Sequence, residues 1–294
     1  MDPENSKDIK YRTRTMHLVV GKLNVNPNLF SYGQADTISR VLRQLFEQQI
    51  RDTTESVWGG RQSRWVITDN TVLDVEGTAV AAGRLGKVRE MPTQTFDWDS
   101  FQQRKRVVPD AYEFANFVLD LETELMAFEE KQTISARAFM RAFAEICMQA
   151  NPALGYVSIY PRIDAEEFFV AIRQLKTVHE FVLDFVRPNP VNMEDPCNEF
   201  RERLLEEPRS DRATVKLESQ RGSLNLESGV IVAGQHMVDK GYGDVTLKGT
   251  TDAGIAVEIR SGDKLLRRSV QATDEVSSFV PEFMRVIIEV RRPR

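Results

Sequence analysis

"VLDLETELMAFEEK" (residues 118–131) reads as two short strands around a tight connection. Taken back to "EFANFVLDLE", it becomes an antiparallel hairpin. The segments around it mix hairpins with single strand–helix steps. Downstream, "ISARAFMRAFAEICMQA" is a helix capped by Ser135, with Phe139, Phe143 and Ile146 on one side. "YVSIYPRI" is a strand, "DAEEFFVAIRQL" a helix, and "VHEFVLDFVRP" a strand that Pro188 stops. "DPCNEFRERLLEE" reads as a helix, "ATVKLES" as a strand, and "LESGVIVAGQHMVDKG" as a helix ended by Gly241. "YGDVTLKGTTDAGIAVEIRSG" is a further hairpin, with Val245, Leu247, Ile255, Val257 and Ile259 on one face. "DEVSSFVPEFMRVIIEV" is a closing helix.

Upstream, "YRTRTMHLVVGKLN" predicts a first strand near residues 11–24. In "ADTISRVLRQLFEQQIRD", Ile38, Val41, Leu42, Leu45, Phe46 and Ile50 recur at helical spacing. A strand pair follows in "SRWVITDNTVLDVEGTAVAAGRLGKV", with turns expected at Asp69-Asn70 and Glu76-Gly77. "MPTQTFDWDSFQQRKRVVPD" reads as a connector. The pattern is α+β, with mostly antiparallel sheets and hairpins, each sheet covered on one face by helices. The connector suggests two subdomains, residues 1–108 and 109–294.

The 294 residues are 41% hydrophobic and 28% charged, which excludes a disordered chain. No apolar run approaches the ~20 residues of a bilayer span, so no membrane insertion is expected. The polar start "MDPENSKDIKYRTRT" resembles neither a signal peptide nor a transit sequence. Cys147 and Cys197 are the two cysteines, expected as bystander thiols of a reducing cytoplasm. The net charge of -5 excludes a wholly basic surface. Residues 1–110 hold 16 Lys/Arg against 14 Asp/Glu, and the remainder 23 against 30.

Two kinds of chemistry are open. Pro109-Asp110 followed by Glu129-Glu130-Lys131 has the residue types of PD-(D/E)xK nucleases, in which two carboxylates hold Mg²⁺ and a lysine stabilises developing charge. Asp110, Glu129 and Lys131 are the candidate catalytic residues, with Asp120 an alternative better placed along the strand and Mg²⁺ the cofactor. Against this stands a plain surface hairpin with no cofactor. His17, His179 and His236 are isolated, and none has metal-ligand spacing. The other option is nucleic-acid binding. Arg12 and Arg14 alternate on the first strand, Arg84, Lys87 and Arg89 decorate a hairpin, and Arg104, Lys105 and Arg106 form a triplet. Cations on extended segments can track a phosphate backbone without reading sequence. Trp58, Trp65 and Trp98 lie nearby and could stack on unpaired bases.

The order of elements, from the basic first strand through "RWVITDNTVLDVEGTAVAAGR", "ANFVLDLETELMAFEEK" and the charged hairpin before the last helix, resembles a group of bacterial anti-phage proteins. These are the lambda-type Rex exclusion sensor and the DNA-binding component of the Kiwa system. The resemblance implies a cytoplasmic antiviral-defence protein without a catalytic centre that binds DNA with little sequence preference, as a homodimer. It carries no diagnostic short motif. A protein-binding adaptor of a defence complex, meeting a phage or partner protein through a sheet edge or the acidic C-terminal half, is the third option.

Overall fold

Long-range pairing of the first strand organises the molecule. A computed structural model describes residues 12–26, 35–58, 61–97, 102–186, 204 and 210–291, with backbone alone for 35–37, 57–58, 61, 91–97 and 102–106. Strand β1 (Arg14–Asn26) has β6 (Leu125–Glu129) on one side. On its other side lie β12 (Arg267–Ala272) against its first half and β7 (Tyr156–Pro161) against its second. The sheet continues from β6 through β5 (Gln102–Asp120), β4 (Thr78–Asp97) and β3 (Arg61–Val75) to β2 (Thr53–Trp58), with every pairing antiparallel. Alternation along β1 sends Val19, Leu23 and Val25 to one face and Met16, Leu18 and Val20 to the other.

Both faces are therefore apolar, and both are covered. Helices α1 (Ala35–Glu47) and α2 (Ala136–Ala150) close the first face, with Phe46, Phe117, Phe139 and Phe143 in mutual ring contact. Helix α5 (Val276–Arg291) closes the second through Phe279, Val280, Phe283 and Ile287. The expectation of helices on one face only is corrected for this sheet, because its strands are apolar on alternate sides rather than on one.

A second antiparallel sheet has the order β11 (Ala256–Arg260), β10 (Gly243–Thr251), β8 (Leu175–Val186), β9 (Arg212–Glu218). Helices α3 (Ala165–Arg173) and α4 (Gly229–Asp239) pack on it around Phe168, Phe181, Leu183 and Val245. The two sheets are joined where Gly241, at φ +79°, brings the chain against β1: a Cβ there would lie 2.7 Å from that of Lys22. Lys22, 4% exposed, donates to Glu124 Oε2 at 2.8 Å and to the Thr123 carbonyl. The Asn24 amide donates to the Gly241 carbonyl at 3.0 Å.

Residues 108 and 109 both lie inside β5, and the large sheet takes strands from both sides of that position. The two structural units are instead the eight-stranded sheet and the four-stranded sheet, whose strands enter the chain between β7 and β12. The connector is also corrected. Met91–Asp97 and Gln102–Val108 are paired strands, from Met91↔Val108 to Asp97↔Gln102, and among the described residues they pair only with each other. They form a two-stranded arm that leaves the sheet beyond Val88, the last β4 residue paired to β3. At about 3.3 Å per residue, Met91–Asp97 spans roughly 20 Å.

Candidate nucleic-acid interface

Where the arm leaves the sheet, Pro109 and Asp110 form a bulge: the pairing skips from Arg89↔Ala111 to Met91↔Val108, and Asp110 has φ +55°. Among the described residues β5 has no second neighbour here, so the missing N–H of Pro109 breaks no ladder. Asp110 is exposed and lies six residues along β5 from Asn116, the neighbour of Glu129, which is roughly 20 Å. Asp120 lies four residues the other way, roughly 13 Å. It is 1% exposed and accepts hydrogen bonds from Glu122 N, Thr123 N and Thr123 Oγ1 at 2.9, 3.1 and 2.6 Å. It caps the β5–β6 turn. The nuclease residues thus do not converge. Lys131 is near Glu129, at 3.4 Å, but neither Asp110 nor Asp120 is close. Among the described residues no group of three or more His, Cys, Asp or Glu has the geometry to hold a metal.

Glu129 has another partner. It is 1% exposed, and Arg14 reaches it with both terminal nitrogens, Nη2 at 2.9 Å from Oε2. Arg14 Nη2 also donates to Asp274 Oδ1 at 2.7 Å, and the Asn116 amide donates to both carboxylates at 3.3 and 2.8 Å. This network lies at the start of α5 and fastens it to β1, β5 and β6. Burial disfavours ionisation of Asp274, but the hydrogen bonds from Arg14 and Asn116 outweigh it and hold the carboxyl below the usual range. Lys131 is shifted down, first by burial, with Glu129 opposing.

The nominated cations divide between the two faces of the sheet. Arg84 shares the α5 face with Arg14 and donates to Asp69 Oδ2 and the Asp274 carbonyl, both at 2.7 Å. Lys87 and Arg89 are on the opposite face. Lys87 sits 5.3 Å from the Trp65 ring centroid, and Arg89 pairs with Glu113 at 3.2 Å. They do not form one stripe. Trp65 is a core residue, 2% exposed, with its indole N–H on Ser56 Oγ at 2.9 Å. The Trp58 side chain and Trp98 lie outside the described residues. Arg12 is exposed at the entry to β1. Arg104, Lys105 and Arg106 lie in the arm opposite Thr95, Gln94 and Thr93; their side chains are outside those described.

Residues passed over in the sequence complete the site: Asn116, Asp274, Tyr112 and Phe114. The Phe114 ring has the Arg84 guanidinium at 4.8 Å and Lys131 Nζ at 4.4 Å. Tyr112 stands beside it, with ring centroids 5.8 Å apart. The alternation Tyr112-x-Phe114-x-Asn116 is the available signal, and it becomes readable once β5 is extended upstream of Glu113.

Fold and site define an α+β protein with two antiparallel sheets, a projecting β-arm and a closed polar cluster at the start of its last helix. The chain belongs to the family described as a domain of unknown function (DUF4747), whose model matches residues 38–288. None of the curated proteins compared matches it, and nothing in the family description links it to the Rex or Kiwa proteins. Among the described residues no helix is long and apolar enough to cross a membrane.

Proposed function

We propose that this is a non-enzymatic, sequence-nonspecific nucleic-acid-binding protein that holds a phosphate backbone with its β4–β5 arm, DNA being the expected partner. The pairing of the arm carries this reading. Its register sets Arg106 opposite Thr93, Lys105 opposite Gln94 and Arg104 opposite Thr95, three cations among hydrogen-bonding side chains with no acid in the six. A two-stranded ribbon fits the major groove of a duplex, and a free ribbon is marginally stable in water. An arm of this kind gains order from a ligand. Arg14, Arg84 and Arg89 are occupied by carboxylates and serve the fold, so the expected phosphate contacts narrow to the arm, with Lys87 and exposed Arg12 remaining in the nominated set. A setting in bacterial antiviral defence and a homodimer rest on the resemblance alone, and a cytoplasmic location also on the reading of the two cysteines as thiols.

Fluorescence anisotropy with a labelled duplex tests the proposal. Changing Arg104, Lys105 and Arg106 together to Gln lowers affinity strongly, whereas Arg89→Gln leaves it nearly unchanged. Equal affinities for wild type and the arm variant overturn it.

A further inference from the structure

Helix α5 covers its face of the large sheet only as far as Ala82 on β4 and Val118 on β5. One step further, Arg84 and Asn116 meet Asp274 at the start of the helix. Beyond them, among the described residues, no helix lies over Gly86, Tyr112 and Phe114. Tyr112 is 44% exposed and fixed in place. Its hydroxyl is 2.8 Å from Thr68 Oγ1, and its ring lies against Gly86, where a Cβ would come within 2.1 Å of it. Glycine at position 86 is what lets an aromatic ring lie down on the strand. Phe114, two residues along the same strand, is covered instead, with the Arg84 guanidinium and Lys131 Nζ over its ring.

We infer that Tyr112 forms a stacking platform for an unpaired nucleobase, so that the nucleic acid bound by this protein includes a single-stranded segment. The inference rests on the nucleic-acid reading above and names the form of the ligand. An exposed aromatic ring held in place on a sheet offers a π-face that any base can cover once it leaves its own stack. Three acids of this face are already engaged: Asp69 by Arg84, and Glu129 and Asp274 by Arg14. The platform also begins at the root of the arm, one residue from Ala111↔Arg89. A strand held by Arg104–Arg106 therefore runs onto it.

The test compares wild-type affinity for oligo(dT) with that for an abasic oligonucleotide of equal length. Bases should strengthen binding by roughly 5- to 150-fold for each ring that stacks. Tyr112→Ala should abolish most of that difference while keeping arm-dependent duplex binding, and Tyr112→Phe should retain it. Equal wild-type affinity for the two oligonucleotides, with duplex binding intact, overturns this inference alone; absence of all nucleic-acid binding overturns both readings. If Tyr112→Ala alters the oligomeric state in light scattering but not the base dependence, the face is a protein contact and the inference falls.

Discussion

Replacing Arg14 with alanine probes the cluster that the structure puts in place of a nuclease centre. Breaking a fully buried ion pair by removing one partner costs roughly 3–5 kcal/mol. Two features reduce that here. The Arg14 side chain is 32% exposed, so water reaches its outer edge, and Glu129 keeps the Asn116 amide at 3.3 Å and Lys131 at 3.4 Å. A loss of about 2 kcal/mol follows, which for a chain of this size lowers Tm by roughly 3 °C. The pH dependence follows from Asp274. Its carboxyl is depressed in the folded state, so its contribution is present above the unfolded value of about 3.9 and disappears as pH falls through the folded value. Arg14→Ala removes a principal cause of that depression, so the gap between wild type and variant is widest at neutral pH and narrows below about pH 4. Urea melts across pH 3–7 measure both effects. A loss under 0.5 kcal/mol, or a gap that stays constant with pH, would refute the reasoning.

Three further outcomes are expected. Gly241→Ala places a Cβ at φ +79° and 2.7 Å from Lys22, costing roughly 1–3 kcal/mol in chemical denaturation. Asp120→Ala strips three hydrogen bonds from the β5–β6 turn, with a loss of roughly 2 kcal/mol by the same assay and no change in metal affinity by calorimetry. Lys131→Ala, incubated with plasmid and Mg²⁺, gives the same DNA pattern as wild type; cleavage lost only in the variant restores the nuclease reading.

The β5–β6 hairpin, the faces of α1 and α2 and the Ser135 cap were legible because each is written in neighbouring residues. Ser135 Oγ does accept from Ala138 N. The arm was hidden because, among the described residues, it pairs with nothing but itself. The stretch MPTQTFD (residues 91–97) does not alternate apolar with polar residues, and Arg104–Arg106 reads like a linker. Asp69-Asn70 was expected as a turn and is a bulge between Thr68 and Thr71, whereas Glu76-Gly77, with φ +52° and +83°, is the turn. The short β12 was not anticipated, and without it Asp274 has no reason to meet Arg14 across 260 positions. Local pattern nominated Glu129 and Arg14 separately, as acid and as phosphate contact. Their mutual use depends on the β1–β6 register, which neither segment encodes alone.

The proposed grip of the arm on phosphate is tested most directly by the salt dependence of duplex binding. Each phosphate neutralised contributes about 0.9 to the slope of log affinity against log salt. Neutralising Arg104, Lys105 and Arg106 should therefore make the slope shallower by up to about 2.7 if all three engage. Identical slopes for wild type and variant, or a wild type that does not bind at low salt, would contradict the account.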